Sequence, residues 1–391
     1  MSEGVKIFQD IETPSNISMS LYAKRLSEGL KNVVPTMEVS VFEPKAVRYP
    51  RMIANMIRRV PLARFYGDEV FISRHILYPL MARYSQGRIN HVVGDTANII
   101  PFIDRNRTVV TCHDIQLIAD PSTTYAANHK GYRWYVLRKK VMKNAAMVIA
   151  ISEYTKRDIM KHLDVPEDRI RVVYNAVDPC FREIKDRHEL DQLKKTFGLG
   201  GNCGRILLSV GINWAHKNIE GIIHALKYVR NRYGDVILVR VGEVFNQSQV
   251  KLMRDLGLES AVYQLGRVAP EDLVSLYNLA DVTLFPSFYE GFGWPIVESF
   301  ACGTPVVTST TSSMPEVAGD AAILVDPKRP EEVGRAAVDI LQNADMRNRL
   351  IEKGFERAKL FSMEKQAHDT LKVYEEVLRE HGETLEDLMY R

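Results

Sequence analysis

Twice along this chain, short runs of β-branched and other apolar residues alternate with amphipathic stretches, and this repeated alternation limits the fold more than any other feature. The first series is VKIF near residue 5, VSVF near 39, NHVVG near 90, TVVTC near 108 and MVIAI near 147. The second is RILLSV, VILVRV, VYQL, VTLFP, TPVVTS and AAILV, with helical patterns at Ile219 to Arg232, Gln247 to Leu256, Pro270 to Asn278 and Pro295 to Ala301 between them. Parallel neighbours need a crossover connection, so strands alternating with helices predict an α/β chain whose parallel sheets are wound on both faces, a Rossmann-like arrangement.

The two series are separated by the charge-rich stretch Asp186 to Gly204, which ends in GLGGNCG, and 391 residues suit two domains. The expected boundaries are a first domain over 1–180, a linker over 181–204, a second domain over 205–361 and a C-terminal helix over 362–391, where SMEKQAHDTLKVYEEVLREH has a serine cap and helical spacing. Open parallel sheets bind ligands at the carboxyl ends of their strands, where the winding reverses, so two such sheets facing each other predict one central cleft.

Hydrophobic residues at 46% and charged residues at 26% fit a folded soluble enzyme. The start MSEGVKIF lacks the regions of a secretory signal, and the expected location is the cytosol. The four cysteines, Cys112, Cys180, Cys203 and Cys302, show no paired spacing, so no metal site or disulfide framework is expected. A net charge of +3 gives no reason to expect a nucleic-acid partner. Basic residues do cluster locally: Lys45, Arg48, Arg51, Arg58, Arg59 and Arg64 stand among apolar residues without an acid. That composition fits either a solvated basic face or the surface of an anionic membrane at the inner face of the cell.

The segment PSFYEGFGWPIVESFACGTPVV follows the apolar run VTLF and precedes another strand, which places it at a strand-to-helix junction. Gly291 and Gly293 flank Phe292 and let backbone amides approach a ligand, Pro295 suits a first helical turn, and an anion there gains from the helix dipole. Glu298 on the new helix can accept two hydroxyl hydrogen bonds, as from a ribose, and Glu290 before the glycines can reach a sugar. Taken singly, each glutamate could equally cap or pair on a helix face. Lys217 and Asn218 follow RILLSVG and precede a helix, which holds an ammonium near a strand end. His113 and Asp114 follow TVVTC in the same way, with Asp120 and Pro121 closing the loop; an aspartate there can also simply brace it.

In these residues the chain resembles glycosyltransferase family 4. EGFGWPIVE looks like that family's donor-site motif, and GRVAPEDLVSLYNLADVTLFPS upstream and SFACGTPVVTSTTSSMPEVAGDAAILVDP downstream extend the likeness over much of the second domain. The resemblance implies a GT-B type fold and transfer with retention at the anomeric carbon. It implies that Glu290 bonds donor-sugar hydroxyls, Glu298 the ribose, the Gly291, Phe292 and Gly293 amides the donor phosphate, and Lys217, beside Asn218, the departing diphosphate. It places His113 against the donor sugar, assisting by hydrogen bonding rather than as a nucleophile, so that domain closure would assemble the site.

There are departures. Relatives often carry an arginine directly after the glycine where this chain has Ile212, with His216 a partial substitute. Where they often carry a glycine pair after the first strand, this chain has Asn16, Ile17, Ser18 and Met19, so only a general position in the cleft carries over to Asn16. VVTCHD, AISEYTKRDI and VVYNAVDPCF complete the likeness, with Ser152 read as a helix cap.

The expected function is therefore a retaining, metal-independent hexosyltransferase without a cofactor. Its donor would be GDP-mannose first or a UDP-hexose second, after a loose likeness to mannosyltransferases of surface-polysaccharide assembly, and its acceptor a glycan or lipid-linked hydroxyl. The alternatives are phosphorylase-like or sugar-nucleotide epimerase activity on the same fold, or a catalytically silent scaffold. A dinucleotide-binding oxidoreductase is disfavoured because no G-x-G-x-x-G follows the first strand.

Overall fold

The computed structural model describes residues 4–10, 17–44, 73–94, 96–119, 130–199 and 204–389. The chain divides into two units, one formed by Met1–Asn175 together with Met363–Arg391 and the other by Ala176–Ser362. Asn16, the basic segment 45–64, Asp120, Pro121 and Cys203 lie outside the described residues.

The first unit is built on six strands: β1 Val5–Phe8, β2 Val39–Phe42, β3 Ile89–Val93, β4 Thr108–Cys112, β5 Met147–Ala150 and β6 Ile170–Val172. They pair in the order β2-β1-β3-β4-β5-β6, all parallel, with Val5 opposite both Val39 and Ile89. β3, β4 and β5 are buried along their whole length, and β5 reads as a continuous apolar run, whereas β3 and β4 also bury Asn90, His91, Thr108 and Thr111.

The second unit has β7 Arg205–Gly211, β8 Val236–Gly242, β9 Val262–Gly266, β10 Val282–Phe285, β11 Val306–Ser309 and β12 Ala322–Val325, again all parallel, in the order β12-β11-β10-β7-β8-β9. Both faces are covered, and the period of two shows it directly. Leu207, Val236 and Leu238 join one core with the helices Ile219–Tyr233 and Pro330–Gln342, while Ile206, Leu208, Ile237 and Val239 join another on the opposite face. The predicted doubly wound sheets are thus present in both units.

The chain passes between units at Asn175/Ala176 rather than at 180, and the stretch expected as a linker belongs to the second unit. It forms the helix Arg187–Thr196, capped by Asp186 accepting from the His188 amide, and places Phe181 and Leu199 in the core. Its high charge reflects an exposed helix face, which composition does not separate from a linker. The tail helix Met363–Arg379 returns to the first unit. It lies against the helix Ile17–Val33, where a side chain on Gly29 would stand 3.1 Å from the Met363 carbonyl. Arg171 grips Glu376 through two bonds of 3.0 and 2.6 Å, and Arg107 grips Glu383 through two of 2.8 Å.

Candidate functional site

In the second sheet the winding reverses between the neighbours β7 and β10, so the loops leaving their carboxyl ends emerge side by side. One carries Lys217, at the end of a single 3-10 turn Ala215–Lys217; the other carries Glu290 and the glycines. The Lys217 Nζ stands 2.6 Å from Glu290 Oε1, with 16% and 11% of the two side chains exposed. The ammonium also lies 5.3 Å from the centre of the Phe285 ring.

The Glu290 loop is held by hydroxyls from the β11 end. Thr308 donates to the Phe285 carbonyl at 2.8 Å, Ser309 to Ser287 at 2.6 Å and Thr311 to Phe288 at 3.0 Å. The Glu290 amide donates to Ser312 Oγ at 2.9 Å, and Ser313 Oγ donates to the Glu290 and Phe292 carbonyls at 2.9 and 3.0 Å. These hydroxyls, which sequence reasoning left without a role, sit in the run TSTTSS, and that density of hydroxyls at a strand end was their available signal.

Gly293 adopts φ +101° and caps the helix Trp294–Ala301, with Pro295 in its first turn. Phe292 buries its ring edge-on against Phe361, centroids 5.4 Å apart, which anchors the turn from below. Glu298 lies on this helix and accepts a 2.8 Å bond from the hydroxyl of Tyr277, a fully buried residue of the neighbouring helix Pro270–Leu279. Burial first, and the Glu298 charge second, push the Tyr277 phenol well above its ordinary range, so it serves Glu298 as a donor.

Asn218, expected beside Lys217 at the donor, also has a structural part. It takes φ +56°, and its side-chain amide donates to the Pro286 and Pro327 carbonyls at 3.0 and 2.7 Å, so both its hydrogens brace three segments against one another. His216 is buried, with its ring edge to Trp214, and its carbonyl accepts from the Phe288 amide at 2.7 Å. Burial lowers its pKa to about 4 against the raising effect of Glu290, leaving a neutral imidazole at pH 7.

In the first unit, His113 directly follows β4 and is 8% exposed, with its ring edge-on to Tyr22 at 4.7 Å. Behind it runs a buried polar chain. Tyr22 and Thr111 hydroxyls lie 3.3 Å apart, Thr111 is 2.7 Å from His91 Nε2, and His91 Nδ1 is 2.7 Å from the Tyr374 hydroxyl on the tail helix. Asp114 braces its loop, its carboxylate accepting from the Gln116 amide at 3.3 Å. Ser152 is the helix cap expected, accepting from the Thr155 amide at 3.0 Å. No group of three or more metal-ligating side chains occurs among the described residues. Nor, among them, is any helix long and apolar enough to cross a membrane.

Comparison with known proteins matches residues 202–357 to the model of glycosyl transferases group 1 and residues 20–180 to that of glycosyltransferase family 4. The O-antigen chain mannosyltransferase B of Escherichia coli is 30% identical over 68% of this chain and 70% of its own length. The serotype-specific mannosyltransferase WbdA of the same species is 26% identical over 75% of this chain, which spans only 36% of that larger protein. Among solved structures, WaaG, a glycosyltransferase involved in lipopolysaccharide biosynthesis, superposes with a TM-score of 0.74 over 94% of this chain and 99% of its own, at 16% identity, a likeness of fold.

Proposed function

The chain belongs to glycosyltransferase family 4, and from that premise we propose that it transfers a mannosyl group from GDP-mannose, with a UDP-hexose as second choice, to a hydroxyl of a glycan or lipid-linked acceptor, with retention and without a metal ion. The observation that carries this reading is the Lys217–Glu290 pair at the switch point of the second sheet. A nucleoside diphosphate bound there meets a fixed ammonium, while Glu290 keeps one carboxylate oxygen for sugar hydroxyls and Glu298 faces the ribose from the next helix. The positive charge that a divalent cation would bring to the leaving diphosphate is supplied by Lys217 and the amino end of the helix Trp294–Ala301. The choice of mannose is supported by the mannosyltransferase relatives in Escherichia coli.

Because Glu290 is engaged by Lys217 and the Ser313 hydroxyl donates to main-chain carbonyls, the reading is a front-face displacement rather than a double displacement through a side chain. The bond from the anomeric carbon to the diphosphate oxygen breaks, the acceptor oxygen bonds to the same face, and the acceptor proton passes to the leaving phosphate. His113 of the first unit is proposed to serve the same reaction. The test is release of nucleoside diphosphate from GDP-mannose, UDP-glucose, UDP-N-acetylglucosamine and UDP-galactose, with and without a chelator and with and without a membrane-lipid extract. Acceptor-stimulated release from one donor, unchanged by chelator and lost in Lys217→Ala and Glu290→Ala, is expected. A trapped glycosyl-enzyme, or free epimerised sugar nucleotide without acceptor, would overturn the mechanism, and binding of no donor would favour a silent scaffold.

A further inference from the structure

Arg240 lies on β8, on the face that Val236 and Leu238 give to the core, yet it is 1% exposed and forms no ion pair among the described residues. Its guanidinium donates instead to main-chain carbonyls. Nη1 reaches Val241 at 2.8 Å and Ser209 at 3.3 Å, and Nη2 reaches Gly211 at 2.6 Å and Ile212 at 3.1 Å. Even at this depth burial lowers its pKa only to about 10, so the group is charged at pH 7. The acid whose charge acts on it, Glu243, is engaged elsewhere: it accepts from the Asn213 amide at 2.9 Å and stands 3.9 Å from Arg267.

Three of those four carbonyls belong to the end of β7 and the start of the Lys217 loop. Two glycines permit the arrangement. Gly242, at φ +120°, approaches so closely that a side chain there would stand 1.9 Å from the Gly211 carbonyl oxygen. Across Gly211, at φ +141°, runs the Lys217 stem, whose Cε would lie 3.9 Å from a side chain at that position. The oxygens of Gly211 and Ile212 are therefore turned towards Arg240, and the floor beneath Lys217 carries a buried positive charge. A buried charge is seldom a net source of stability by itself, so what the arginine supplies here beyond packing is its bonds to these carbonyls and its charge.

We propose that Arg240 is a positioning residue of the donor diphosphate subsite, holding the Gly211–Ile212 carbonyls away from the anion and adding the field of a second, buried cation beneath Lys217. This rests on the reading of the Lys217 loop as the diphosphate site. The experiment is calorimetric titration of the full chain, wild type, Arg240→Met and Arg240→Lys, with GDP and with UDP, beside thermal melts of each protein.

For the diphosphate that wild type binds, Arg240→Met is expected to lose about tenfold in affinity, the scale of one charge removed from an anion site, while Arg240→Lys stays within about threefold of wild type. Both variants are expected to melt lower, because neither keeps all four carbonyl bonds. Equal losses in the two variants, or no loss in Arg240→Met, overturn the proposal. If Arg240→Met does not fold, Arg240→Gln, which keeps a donor for the carbonyls without the charge, takes its place beside Arg240→Lys, with the same loss of about tenfold expected and no loss overturning the proposal. A wild type that binds neither diphosphate instead brings down the donor reading itself.

Discussion

Lys217 and Glu290 stand 73 positions apart in sequence and 2.6 Å apart in space, brought together because β7 and β10 are neighbours although β8 and β9 intervene in the chain. The pairing fixes a flexible ammonium over Phe285 and leaves the second Glu290 oxygen for another donor. Each partner thus orients the other before any ligand arrives, which is the condition for charge stabilisation without reorganisation during the reaction.

Lys217→Ala should therefore reduce kcat/KM by roughly 30- to 1,000-fold, corresponding to about 2–4 kcal/mol of barrier. Glu290→Gln retains an acceptor for Lys217 and should lose less than Glu290→Ala. Steady-state kinetics with the identified donor provide the check; a Lys217→Ala enzyme within threefold of wild type would show that the ammonium is not used.

Tyr277 and Glu298 make a second pair whose role divides differently. Removing the buried hydroxyl in Tyr277→Phe leaves one Glu298 oxygen with a partner fewer, so donor KM should rise several-fold with kcat little changed, and stability should fall by about 1 kcal/mol. His113→Ala should do the reverse, lowering kcat more than donor affinity. Kinetics that show the two splits exchanged would count against both assignments.

Much of this was legible in sequence because it is written in local pattern. The runs TVVTC and VTLF are strands because β-branched and apolar residues fill both faces of a buried parallel strand, and GFGWP marks a turn into a helix because glycine at φ +101° and proline in the first turn are each suited to one place. The bracing part of Asn218 was not legible, because the Pro286 and Pro327 carbonyls to which it donates lie far along the chain. The stretch 181–204 misled because an amphipathic surface helix and a linker share a charge-rich composition. Tyr277 and Arg240 were silent because Glu298 and most of the carbonyls that Arg240 reaches lie on other elements, although an arginine inside VILVRVG was itself a discordant note in a buried strand.

At Gly293 the backbone conformation and the packing act together. A side chain there would stand 3.1 Å from Ile296 Cδ1 and 3.3 Å from Phe285 Cε1, at a φ that L-residues rarely adopt. Gly293→Ala should lower stability by about 1–3 kcal/mol and weaken nucleotide binding by shifting the helix start. Urea unfolding followed by tyrosine fluorescence will test this; a midpoint equal to wild type would mean the turn relaxes freely.

Two buried histidines should weaken the fold as pH falls. Burial lowers His216 to about 4 in the second unit and His91 to about 3 in the first, against 6.5 for the unfolded chain. Below pH 6.5 the unfolded chain takes up protons that the folded chain refuses, so their stabilisation is complete above that pH and is lost as pH falls towards 4 and 3. For His216 alone the loss is on the order of 3 kcal/mol. His216 Nδ1 is buried without a hydrogen-bond partner, so His216→Leu gives up no bond from that nitrogen. Denaturant midpoints measured between pH 7.5 and 4.5 should fall steeply for wild type and less steeply for His216→Leu. Parallel slopes for the two proteins would show that His216 takes up its proton without opening the second unit.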